Sequence, residues 1–391
     1  MFRHLPPAGN SISFLSVVRT ITAAQPAQDP LGGIFRRKLV YLSSGSAAIA
    51  LCLSSIAGLR ERRKVVFPAY TCPSLLAAVL KSGLTPVLCD LEPGGFLMDI
   101  ESLAEKVDEE TLAIMPVHLF GIPERIQAIS DLALAKGAYV IEDATQALGN
   151  TIESNYLGSF GDFGILSFRR GKPLSLLGGG AVIINNPELA RSLDEGFHSL
   201  KERDQPSTFP YVLSLMIYSI LFNPRLYWIP QGIPWLKLGR TEYVEISTAR
   251  MNPKVLCIAQ SVLPDFEKIR SRRIELTRMY LDILEPHRDK FLFLPERGNE
   301  LSLLRFPILF KDPGARDKSY FALQRKGLGA SRFYPDPVNR IPSVPRSVIW
   351  NDGSFPNAEC VSRTILTLPL HDRVSADDVT SIASIIIHST R

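Results

Sequence analysis

Cysteine is scarce in this chain: Cys52, Cys72, Cys89, Cys257 and Cys360 are the only five in 391 residues. Their number is odd, their spacing is scattered and no C-x-x-C pair occurs, which argues against a disulfide framework and a zinc site and points to a reducing compartment. Strong charge of one sign is also lacking, the formal net charge being +5. No run of Lys and Arg interleaved with aromatics forms a nucleic-acid stripe. Internal repeats and low-complexity tracts are absent. Near the N-terminus Arg3 and His4 are followed by Pro6, Pro7, Gly9 and Asn10, with no apolar stretch long enough for a signal-peptide core, so a cytoplasmic protein is expected. What is present is 46% hydrophobic and 21% charged residues, the balance of a globular enzyme, in a chain long enough for a large domain and a smaller one.

From about Tyr41 to Asn185 short β-branched runs alternate with helical patterns, which predicts an α/β domain on a mostly parallel sheet. Candidate strands are 65–67, 87–89, 113–117, 139–141, 164–168 and 181–184. Helices are expected at 74–81 and 123–136, stopped by Gly83 and Gly137. Beyond Pro253 a long helix carries Phe266, Ile269, Leu276, Tyr280 and Ile283, and strands such as 303–310 follow, as in a smaller α+β domain. The expected division is a large domain over 1–250, with an apolar insertion at about 206–240, and a small C-terminal domain over 251–391.

Three elements carry chemistry. Asp143 ends the apolar strand Tyr139-Val140-Ile141, where open α/β sheets place ligands. A carboxylate there can keep a pyridine nitrogen protonated, which makes pyridoxal phosphate (PLP) an electron sink; the competing reading is a helix cap. Lys172 follows the next strand, after Arg169 and Arg170 and before Gly178-Gly179-Gly180, on a loop able to reach the same site. Its amine could form a Schiff base and shuttle a proton, and the two arginines would lower its pKa if they face it. Ser43-Ser44-Gly45-Ser46-Ala47-Ala48 opens an Ala/Leu-rich helix whose free N–H groups suit a phosphate, with Ser46 and Ala47 donating N–H groups and Ser167 a hydroxyl.

In this order and spacing the elements resemble the DegT/DnrJ-type sugar aminotransferases, a fold-type I PLP family. The resemblance extends through Phe67-Pro68-Ala69-Tyr70-Thr71, Thr85-Pro86-Val87-Leu88-Cys89-Asp90, Pro116-Val117-His118-Leu119-Phe120-Gly121, Glu142-Asp143, Gln146-Ala147, Gly158-Ser159, Gly161-Asp162, Arg250-Met251 and Leu368-Pro369-Leu370-His371. It implies that Lys172 is the Schiff-base lysine and Asp143 the partner of the pyridine nitrogen. Gln146 then lies near the cofactor 3′-oxygen, and Gly45, Ser46, Ala47 and Ser167 form the phosphate site. His118 matches a family position that supports a loop, with a direct catalytic role the alternative. The resemblance further implies a homodimer that moves an amino group, commonly from glutamate, onto a nucleotide-linked keto-sugar for polysaccharide or glycoconjugate assembly.

Departures from the family pattern are specific. Cys72, followed by Pro73, stands where an aromatic usually stacks on the cofactor; Pro173 follows the lysine, and Thr248 replaces an Asn before Arg250-Met251. Two other readings remain beside transamination. A dehydratase of the family would carry His in place of Lys172, and a non-catalytic PLP-binding regulator or assembly partner is conceivable without the stacking ring. His371 is expected to make a structural hydrogen bond, and Arg332 or Tyr334 to touch the acceptor. The run Tyr211–Phe222, flanked by Lys201, Arg203, Arg225, Lys237 and Arg240 and by Tyr227, Trp228 and Trp235, is too short to span a bilayer of about 20 residues. A helix buried in the dimer or against the small domain is the favoured reading, and an interfacial membrane contact, suited to a lipid-linked sugar, is the alternative.

Overall fold

The computed structural model describes residues 3–24, 26, 29–200, 208–233, 239, 241–298, 300–348, 350 and 353–390. Lys201, Arg203, Trp235, Lys237 and Arg240 lie outside the described residues. Among those described, twelve strands are numbered in chain order. The first five are β1 (Lys38–Leu42), β2 (Lys64–Pro68), β3 (Thr85–Cys89), β4 (Thr111–Ile114) and β5 (Tyr139–Asp143). A small hairpin, β6 (Thr151–Ile152) and β7 (Asn155–Tyr156), precedes β8 (Phe163–Ser167) and β9 (Gly180–Ile184). The main sheet has the order β1-β9-β8-β5-β4-β2-β3. Strands from β3 to β8 run parallel, while β9 is antiparallel to both β8 and β1. Helices cover both faces of such a sheet, so its inner strands are mostly apolar and covered: every residue of β8 and β9 is buried.

The helices preceding and crossing this sheet are α1 (Phe14–Thr22), α2 (Gly32–Phe35), α3 (Gly45–Ala57), α4 (Pro73–Lys81), α5 (Ile100–Lys106) and α6 (Ile126–Lys136). After β9 come α7 (Ala190–Ser199), α8 (Thr208–Leu221), α9 (Trp228–Gln231) and α10 (Lys254–Val262). Two expected boundaries move for a stated reason. The strand expected over 113–117 ends at Ile114, because Pro116 has no N–H to give a ladder, although Val117 still bridges Asp143. The helix expected from Pro123 begins at Ile126, since the residues before it are not helical and Arg125 sits at φ −74, ψ 59. Gly137 caps α6 with φ +62, as its position after the last apolar turn predicts.

The C-terminal part comprises α11 (Phe266–Leu284), β10 (Phe291–Phe293), β11 (Arg305–Phe310), α12 (Pro313–Arg325), α13 (Pro356–Thr364), β12 (Ile365–Pro369) and α14 (Ala376–Ser389). Its three strands pair antiparallel in sequence order, and α11, α12 and α14 pack around a core that includes Leu276, Phe306, Leu368 and Ile382. Leu5 from the N-terminal segment enters the same core, its N–H donating to the Gly327 carbonyl at 2.7 Å. The apolar insertion forms α8. Its Tyr211, Val212 and Leu215 pack into the core beside α10 and β9, on the large-sheet side, rather than mainly against the small sheet.

His371 makes the expected structural bonds: it is buried, Nε2 donates to the Pro6 carbonyl at 2.8 Å and Nδ1 accepts from the Arg373 N–H at 3.2 Å. Burial pushes its pKa from 6.5 down to about 4. The unfolded chain therefore takes up the proton first, and this contribution to stability is present above 6.5 and lost as pH falls toward 4. Thermal melts across that window are expected to show a falling midpoint for the native protein and a shallower slope for His371→Gln.

Candidate active site

Close backbone approach builds the site. A Cβ on Gly180 would lie 2.4 Å from the Gly45 nitrogen, so only glycine lets β9 meet the start of α3. A Cβ on Gly45 would lie 3.0 Å from Ser167 Cβ and 3.2 Å from Thr145 Cγ2. The first turn of α3 is thereby pressed against the ends of β5 and β8, and its leading N–H groups have no partner within the helix. Ser44 is the N-cap and its hydroxyl accepts the Ala47 N–H at 3.1 Å, beside the leading N–H groups of Gly45 and Ser46.

Asp143 is buried at the end of β5. Its Oδ1 accepts the Thr145 N–H at 3.0 Å, and the Thr145 hydroxyl accepts from Lys172 Nζ at 2.9 Å. Thr145 thus joins the lysine and the carboxylate, and the sequence reading passed over it although it stands inside the Asp143–Gln146 motif. Burial is the largest influence on Lys172 and lowers its pKa; Asp143 opposes this, and Arg169 and Arg305 add to the lowering. Of the two arginines expected to act on Lys172, Arg169 does so, while Arg170 acts on Tyr218 and Tyr227.

Gln146 is buried, and its Oε1 accepts the N–H of Phe120, a residue held at φ +59. His118 is also buried. Its Nδ1 accepts the Glu124 N–H at 3.0 Å, so its ring proton sits on Nε2, which donates to Glu142 at 3.0 Å. Glu142 further accepts N–H groups of Gly158, Phe160 and Gly161. His118 is therefore spent on the loop beneath the site, which leaves it no lone pair for the reacting atoms.

Cys72 caps α4 and lies 3.0 Å from the Ser74 hydroxyl. Tyr334 comes to it from across the molecule. The Tyr334 carbonyl accepts from the Tyr70 hydroxyl at 3.0 Å, and its ring packs 5.6 Å from Tyr70 and 4.1 Å from Phe333. Burial, then Cys72 and Asp143, hold its hydroxyl protonated. Arg305, at the head of β11, lies 5.2 Å over the Phe333 ring, and its Nε and Nη1 are buried without a partner among the described residues. Sequence reasoning missed Arg305, although a lone cation opening the apolar run 306–310 was a readable signal. Arg332 stacks 4.7 Å over Tyr320, away from this cluster.

The lysine loop is anchored from behind. The Ser175 hydroxyl donates to the Lys172 carbonyl and accepts the Gly171 N–H, both at 3.0 Å, while the Ser175 N–H donates to Asn10 Oδ1 at 2.6 Å. Fully buried Arg273 of α11 donates to the carbonyls of Pro173 (3.0 Å), Gly9 (3.2 Å) and Leu370 (3.4 Å).

A lysine, a buried carboxylate and a helix start pressed together at the carboxyl ends of parallel strands suit a cofactor with an aldehyde, a basic ring nitrogen and a phosphate, and define a PLP-dependent transferase. The sequence profile of the DegT/DnrJ/EryC1/StrS aminotransferase family matches residues 35–208 and 241–387, and the chain belongs to that family. It is 26% identical over 352 residues to dTDP-4-dehydro-2,3,6-trideoxy-D-glucose 4-aminotransferase of Saccharopolyspora spinosa, covering 90% of this chain and 84% of the relative. It is 27% identical over 329 residues to the pleiotropic regulatory protein of Geobacillus stearothermophilus, covering 84% and 78%. Helicobacter pylori PseC, an aminotransferase involved in the biosynthesis of pseudoaminic acid, shares the fold with a TM-score of 0.76 at 17% identity, over 99% of each chain.

Replacing Arg273 with Met is expected to strand three buried carbonyls and cost about 2 kcal/mol or more in denaturant unfolding. The same variant is expected to hold PLP less tightly by absorbance titration, because Pro173 adjoins Lys172.

Proposed function

We propose that the chain transfers an amino group from an amino acid, glutamate by the family resemblance, to a keto-sugar carried on a nucleotide. The observation that carries this reading is the line Lys172 Nζ–Thr145 Oγ1–Asp143, with Lys172 drawn below its ordinary pKa by burial. When bound, PLP supplies a carbonyl that condenses with amines and a ring that accepts the electron pair released at the donor α-carbon. With PLP bound, Lys172 would hold it through Nζ and would be the group that moves a proton between the donor α-carbon and C4′. Asp143 would keep its ring nitrogen protonated, Gly45, Ser46, Ala47 and Ser167 would receive the phosphate, and Gln146 would lie near the 3′-oxygen. Tyr334 would supply an aromatic beside Cys72, where the family pattern's stacking ring is missing. Arg305 receives an anionic group of the donor or acceptor, which supplies partners for its Nε and Nη1.

The reading extends to a large cofactor-binding part up to about residue 250, a smaller C-terminal part, and a homodimeric cytoplasmic enzyme of glycan assembly. The family's regulatory relative supports a second reading, a non-catalytic PLP-binding protein. The retained lysine and carboxylate favour the first.

Visible absorption of the protein with PLP separates them. The native protein is expected to show a band that Lys172→Ala lacks and that glutamate bleaches; a band that glutamate leaves unchanged, with no amino product from any keto-sugar, would point to the regulator. Tyr334→Ala is expected to weaken PLP binding about fivefold to tenfold, the size of an aromatic contact. Arg305→Leu is expected to leave the band intact while raising the KM for one of the two substrates by about tenfold or more, which steady-state kinetics would read.

A further inference from the structure

Exposed apolar side chains are concentrated in one place. Of the fourteen large hydrophobic residues that are exposed among those described, four lie on α1 and four on α8. The two helices pack side by side and send Val17, Tyr211 and Leu215 inward to a shared core with Val255 and Ile258 of α10. Since both rest on the same core, their outward faces point to the same side. Phe14, Val18 and Ile21, spaced by four and three, face out from α1; Phe209, Leu213 and Ile217, spaced by four, face out from α8. A continuous face of this kind on a globular chain marks a docking surface.

The charges around it select the occupant. No Asp or Glu occurs in residues 1–28 or 208–241, whereas Arg19 is exposed on α1 and Arg225 just after α8. Lys254 caps α1 through the carbonyls of Thr20, Ile21 and Ala23. Trp228, half-exposed, follows on α9, its Nε1 tied to the Arg225 carbonyl at 3.1 Å. A second copy docked face to face would bring these arginines against arginines with no carboxylate on either helix to pair them. An anionic headgroup layer pairs them all, accepts the apolar side chains beneath it and suits a tryptophan at the boundary. Among the described residues no helix is long and apolar enough to cross a membrane.

We propose that the α1/α8 face seats this protein on an anionic lipid bilayer, with both helices lying in the interface. The proposal does not depend on the transaminase reading. Full-length protein loaded with PLP would be sedimented with vesicles of phosphatidylcholine alone or mixed with phosphatidylglycerol, at low and high salt. The expected result is binding to the mixed vesicles, weakened by salt and by Arg19→Glu with Arg225→Glu, and reduced about tenfold or more by Phe14→Asp with Ile217→Asp. Both substituted side chains in the last variant are exposed, so its absorption spectrum and its sedimentation without vesicles should match those of the native protein. Native protein left in the supernatant with both vesicle types would overturn the proposal. So would a drop in oligomeric state in Phe14→Asp with Ile217→Asp, because a second copy would then be what covers the face.

Discussion

The buried guanidinium of Arg273 is the constraint on which the site depends. It binds three carbonyls from three parts of the chain: the N-terminal segment at Gly9, the lysine loop at Pro173 and the end of the small sheet at Leu370. Burial pulls its pKa to about 10, which still leaves it charged at neutral pH. A cation taken out of water is costly unless it is hydrogen-bonded; Nε and Nη2 make these three bonds, while Nη1 has no partner among the described residues. The position of Lys172 is therefore fixed from the small-sheet side of the molecule as well as by its own strand.

The front of the site follows the opposite logic. Burial lowers the Lys172 pKa while Asp143 raises it, and Thr145 stands between the two. Such a balance suits the two roles proposed for this amine, nucleophile and proton carrier. The histidine at 118, with Nε2 spent on Glu142 and Nδ1 on Glu124, fixes the loop under the carboxylate.

Much of this was legible before any coordinates. The parallel sheet followed from apolar runs of strand length separated by helical periods; Lys172, Asp143 and Gly45 were marked by their places at strand ends and at a helix start, and Gln146 by the family resemblance. Residues that act across long separations were not legible as partners. Tyr334 meets Cys72, Asn10 meets Ser175, and Arg305 faces the lysine from the head of β11, each pair more than a hundred residues apart. Arg273 had a local sign, a charge in the buried register between Phe266 and Leu276, but its three acceptors had none.

The sequence by itself determined the class of fold and marked the strand ends where the lysine and carboxylate stand as candidates, because periodicity and turn residues act over a few neighbours. Tertiary structure alone decided what stands beside Cys72 and which side of α8 remains outside. Those outcomes depend on distances between segments remote in sequence, set by how helices and sheets pack, and no local pattern encodes them.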